Sequence, residues 1–165
     1  MRSRLLMAIL ALTLLGLVNV MAAQASSPRN FRAHLNVAQE VPEPTVTTNP
    51  QGQATFQLSR SGDELHYRLI VANIENVTMA HIHLAPVGVT GPVVLWLYPS
   101  GPPAQLIPGP FNGVLAEGTV TSANLVGPLA GASLSDLIAH IQAGNAYVNV
   151  HTTQNPPGEI RGQIH

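Results

Sequence analysis

The chain has 165 residues, a formal net charge of −1 and 45% hydrophobic residues, while charged residues make up only 9%. It contains no cysteine and no lysine, which excludes disulfides, thiol catalysis, thiolate zinc and blue-copper sites, and Schiff-base chemistry. A weakly acidic surface without lysine offers no electrostatic footprint for nucleic acid or an anionic membrane, so neither is expected as a partner.

The chain opens with Arg2 and Arg4, an apolar run from Leu5 to Val20, and Ala23-Gln24-Ala25. A charged region, an apolar region and a small-x-small cleavage site make a secretory signal peptide. The run is shorter than the roughly 20 residues of a spanning helix. Residues 1–25 are therefore expected to be a signal peptide and 26–165 a single exported β domain, secreted or periplasmic, with no membrane span after cleavage. No cysteine follows the cleavage site, so a lipid anchor is not expected.

After a short leader, Phe31 to Gln39 alternates with Phe31, Ala33, Leu35 and Val37 on one face, and reads as a strand. Glu40 to Pro50 holds three prolines and reads as a loop. Gly52 to Arg60 is a strand with Ala54, Phe56 and Leu58 inward. Ser61-Gly62-Asp63 turns it into a partner over Glu64 to Ile74. Val77 to Leu84 is a further strand, and 85–92 turns the chain. Val93 to Tyr98 is a nearly continuous apolar strand. Pro99 to Pro110 reads as a loop and Gly113 to Thr121 as a strand. The one helix spans Leu134 to Ala143, with Ser133 and Asp136 spaced as a capping box and Gly144 as its stop. Two last strands lie within Ala146 to Ile164. Short strands, regular turns and one short helix predict an all-β protein, an antiparallel β-sandwich or Greek-key barrel of about seven to nine strands.

The chemistry concentrates on two stretches. In Ala80-His81-Ile82-His83 both imidazoles share one strand face. In Tyr147-Val148-Asn149-Val150-His151, the side chains of Tyr147, Asn149 and His151 share one face and the valines the other. Glu159, Arg161 and Gln163 extend this polar row beyond the Pro/Gly turn. If the two stretches pair as neighbours, His81, His83 and His151 emerge together on an outer sheet face and can hold one ion. Without cysteine, that ion is copper or zinc. Tyr147, Asn149, Glu159 and Arg161 then form the surrounding shell or a polar binding face, with Glu159 orienting a histidine, Arg161 guiding an anion, or the two forming a structural ion pair. The competing reading fills the face with hydrogen bonds and water. No nucleophile–base–orienter set is visible, and there is no nucleophile elbow, Walker or dinucleotide glycine motif, or zincin helix. Asn76-Val77-Thr78 is a formal N-glycosylation acceptor.

Gln39-Glu40-Val41-Pro42, Leu65-His66-Tyr67-Arg68-Leu69, Ala80-His81-Ile82-His83 with Gly88 and Gly91-Pro92-Val93, Tyr147 to Thr152, and Pro157 to Gln163 together resemble the CHRD domain. The resemblance spans about Phe31 to Ile164. It implies a secreted β module and no particular reaction. A looser likeness in layout, a His-x-His strand with a later histidine and arginine, is to copper/zinc superoxide dismutase, without that family's cysteines or zinc loop. The expectation is an exported, non-catalytic binding or structural module acting on an extracellular or periplasmic ligand. The alternative is a copper- or zinc-binding redox protein.

Overall fold

The computed structural model describes residues 28–165, and the signal-peptide reading falls on residues outside them. Seven strands and one α-helix follow in the order β1 (Asn30–Asn36), β2 (Gln51–Leu58), β3 (Leu65–His83), β4 (Val93–Tyr98), β5 (Ile107–Val120), α1 (Leu134–Gln142), β6 (Tyr147–Thr152) and β7 (Ile160–Gln163). Among the described residues the fold is all-β with one short helix. No described helix is long and apolar enough to cross a membrane.

All strand pairings are antiparallel. The path β2-β1-β7-β6-β3 closes on itself because β3 also pairs with β2. Closure leaves the ring without a free edge at those strands. β4 and β5 add to β3 outside this ring. Its interior is packed by alternate residues of each strand: Phe31, Ala33 and Leu35 from β1, Ala54 and Phe56 from β2, Val148 and Val150 from β6, and Ile160 from β7. The helix buries Leu134, Leu137, Ile138 and Ile141 in the same cluster. Asp136 accepts a 2.8 Å hydrogen bond from the Ser133 backbone N–H at its start.

The 19-residue β3 is where sequence and structure differ most. The strands expected over Glu64 to Ile74 and Val77 to Leu84 are one continuous strand. Core-facing residues run Leu65, Leu69, Val71, then Ile74, Val77 and Ala80, then Ile82. Three successive steps of three residues break the two-residue period, and register shifts accompany them. Asn73 and Asn76, with φ of 57° and 52°, supply two of these irregularities, in the left-handed region that asparagine tolerates better than most residues. An odd number of such steps inverts the strand, so Ala80 and Ile82 face the core while His81 and His83 face away. The bend also employs the Asn76 side chain, whose Oδ1 accepts from the Gly109 N–H at 2.8 Å.

Other boundaries move for local reasons. β1 ends at Asn36, whose Oδ1 caps a 3-10 turn over Val37–Gln39. β5 begins at Ile107, inside the stretch expected to be a loop, because its Pro- and Gly-containing start pairs with β3.

Candidate metal centre

On the non-core face of β3, β6 and β7, cross-strand register sets side chains in rows, because directly paired residues in a sheet share a face. One row is His81–Asn149–Arg161 and the next His83–Tyr147–Gln163. His151 stands opposite Met79 in the row before. The two histidine-bearing stretches are thus neighbours, as the sequence analysis required for convergence. One ring nitrogen from each of His81, His83 and His151 lies within 4.8 Å of the others.

The face is not an outer one. His81, His83 and His151 are 3%, 8% and 6% exposed, and Arg161 is 1% exposed. Three loop segments contribute to the cover, which strand alternation does not encode. Segment 85–92 is tied down by Arg161 Nη2 donating to Pro86 O at 3.0 Å, Gln163 Nε2 donating to Ala85 O at 2.9 Å, and Gly91 N–H donating to the Tyr147 hydroxyl at 3.2 Å. The turn at Pro156 and Pro157 takes hydrogen bonds from His151 and Asn149. Glu40, 5% exposed, closes against Gly158 and Asn149. Two glycines permit this closure. A Cβ at Gly91 would meet the Leu84 carbonyl oxygen, and one at Gly158, where φ is 147°, would meet the Glu40 carboxylate.

The histidine tautomers follow from their partners. His83 Nδ1 is 2.8 Å from Gly91 O and His151 Nδ1 is 2.8 Å from Pro156 O. A carbonyl only accepts, so both Nδ1 atoms carry the proton and each Nε2 of the neutral ring presents a lone pair. His81 Nδ1 lies 3.0 Å from that Nε2 of His151. Burial, then the neighbouring imidazoles, push His81 down to about 3. Burial likewise pushes His151 down to about 4 and lowers His83. All three rings are neutral near neutral pH, the form that ligates metals. Backbone carbonyls fixing the far nitrogen are a recurrent support for metal-bound histidine. Bonds of about 2.0–2.1 Å place tetrahedral ligand nitrogens about 3.3 Å apart, and the spacing of these three rings makes them candidate ligands for one ion.

The remaining residues of the polar row take other roles. The Arg161 guanidinium lies 3.4 Å above the Tyr147 ring centroid, while His83 stacks on that ring at 4.9 Å. Glu159 turns away from Arg161 and from the histidines, accepting from Thr152 Oγ1 at 2.6 Å and Asn155 Nδ2 at 2.8 Å. The carboxylate acting electrostatically on Arg161 is Glu40, which the sequence reading left in a loop. Burial raises Glu40 above the usual carboxylate range. His81 Nε2, Arg161 Nη1 and Gln163 Oε1 are buried without a hydrogen-bond partner among the described residues, while the Asn149 side chain lies beside both His83 and Glu40. Trp96 packs edge-on against His81, ring centroids 4.3 Å apart.

The closed antiparallel barrel and its covered histidine layer define a small β module with three histidines gathered in one sheet. The chain belongs to the CHRD domain family, whose model matches residues 31–164. It is 32% identical over 127 residues to Chordin of Xenopus laevis and, to the same extent, to Chordin of Danio rerio. Each match covers 74% of this chain and 12% of the relative, so the chain corresponds to a small part of those proteins. No solved structure gives a significant match.

Proposed function

We propose that this CHRD domain is a non-catalytic metal-binding module that holds one copper or zinc ion on His81, His83 and His151. The observation that carries the reading is the convergence of three buried, neutral imidazoles, two of them with Nδ1–H locked on backbone carbonyls. Burial of the ligands and of Arg161 beneath clamped segments favours retention of an ion over turnover of a substrate. The N-terminal pattern of residues 1–25 supports export, so the ion would be taken up outside the cytosol.

The chain's single tryptophan provides the test, because Trp96 stands against His81. Copper(II) titrated into the purified protein at pH 7.5 is expected to quench Trp96 fluorescence at one equivalent. Zinc is expected to compete, and His81→Ala and His151→Ala to abolish the response. Affinity no tighter than about millimolar, about −4 kcal/mol, would reject the reading. The redox alternative is favoured by the neighbouring Arg161 cation and is separated by a superoxide assay of the copper-loaded protein. Turnover lost in His81→Ala would replace the non-catalytic assignment.

A further inference from the structure

We propose that the outer face of the β1–β2–β3 sheet binds an anionic polysaccharide, a chain bearing carboxylate or sulfate groups. The site is separate from the histidine layer. Five arginines lie in the described residues, and four of them, Arg29, Arg32, Arg60 and Arg68, line two adjoining surface grooves. The larger groove, about 670 Å³, carries Arg32, Arg68, His66 and His165. The smaller, about 290 Å³, carries Arg29 and Arg60. They share Asn30, Gln57 and His66, and no Asp or Glu side chain lines either. The chain has eight acidic residues and no lysine, and four of its five described arginines gather on this one face.

Strand register creates the arrangement. Arg32 pairs with Thr55, and Thr55 pairs with Arg68, so the two guanidinium groups flank one threonine across three strands. Two strand spacings set their backbones about 9.6 Å apart. The next row is Asn30–Gln57–His66. All six of these residues are exposed, while the intervening Phe31 and Phe56 are buried. The nearest acidic groups are weakly engaged. Glu117 lies 3.6 Å from Arg68 and Glu64 3.8 Å from His66, all four side chains about half exposed, and Asp63 is held by Ser59 and Ser61. Arg29, Arg32 and Arg60 form no ion pair among the described residues.

The exposed positions between the cations carry a hydroxyl and amides, partners for sugar hydroxyls, while Phe31, Phe56 and Tyr67 also line the larger groove. It presents no fully exposed aromatic ring on which nucleic-acid bases would stack, and the two rows carry no apolar side chain to enter a bilayer. An extended chain with anions at intervals fits an elongated pair of grooves, and a multivalent anion displaces weak surface ion pairs.

The test uses the full-length protein with dextran sulfate, polygalacturonate and neutral dextran as probes, by calorimetry at low and moderate salt. Binding to one or both anionic polymers, steeply salt-dependent, is expected, and the two probes separate sulfate from carboxylate recognition. Arg32→Gln/Arg68→Gln is expected to weaken binding about tenfold or more while leaving the melting temperature and copper affinity unchanged. His81→Ala should bind the polymers as wild type does. Equal binding of neutral dextran, unchanged binding by the double variant, or equally tight binding of duplex DNA or phosphatidylglycerol vesicles would overturn the proposal.

Discussion

A fully buried arginine with no carboxylate within ion-pair distance is the residue that most needs its surroundings. Arg161 depends on the Tyr147 ring face, the Pro86 carbonyl and the more distant field of Glu40. A planar guanidinium stacks and donates in a fixed fork, whereas an ammonium is a hydrated point charge. Arg161→Lys is therefore expected to cost about 2–4 kcal/mol, nearly as much as Arg161→Ala. Urea unfolding with an unchanged m-value checks this, and a cost below about 0.5 kcal/mol would show that charge alone matters at this position. The chemistry of this layer was legible as a list of residue types. His-x-His and the Tyr-Asn-His alternation named the three histidines that the fold brings together, because period-two strands put those side chains on one face. Glu40 was not legible, since its burial depends on folding a loop over strands more than 100 residues later in the chain.

Among the elements, segment 85–92 and α1 allow different tests. Segment 85–92 hangs from the polar layer it covers, and Gly91 both accepts from His83 and donates to Tyr147. Gly91→Ala is expected to destabilise the protein by about 1–3 kcal/mol and to accelerate amide exchange through 85–92 well before global unfolding. Protection equal to wild type would mean that the segment is held by something else. In α1, hydrogen bonds from Ser133 hold Asp136 below the usual carboxylate range. A depressed folded value stabilises the ionised form, so the contribution is present above the ordinary aspartate range and lost as pH falls through the lowered folded value. The melting-temperature gap between wild type and Asp136→Asn should therefore be widest near neutral pH and narrow in acid. A gap that does not change with pH would assign it to shape rather than charge. The helix was legible from its cap and apolar stripe; the cover was not, because its hydrogen bonds go to side chains set by β6 and β7.

At the scale of the whole molecule, a single apolar cluster unites the ring interior, β4 and α1. Leu69 is completely buried within it. Leu69→Ala is expected to cost about 2–5 kcal/mol and to lower the far-ultraviolet and Trp96 fluorescence transitions together, as one cooperative unit does. Separate transitions would divide the molecule into independent parts. The all-β class was legible in alternation and turn spacing. The continuity of β3 was not, because its three irregular steps erase the alternation over Ile74 to Ala80, so the sequence reads as two strands that break between Ile74 and Val77.

Those irregular steps act as a parity count along the chain. A single-residue deletion between Val71 and Ala80 that kept the strand paired would exchange the faces of everything beyond it, directing two imidazoles into hydrocarbon and Ile82 into the polar layer. Two residues removed or added together would restore the phase. Length variation within this segment is thus permitted in even steps, and lineages of this domain that keep the histidines should differ there by zero or two residues rather than by one.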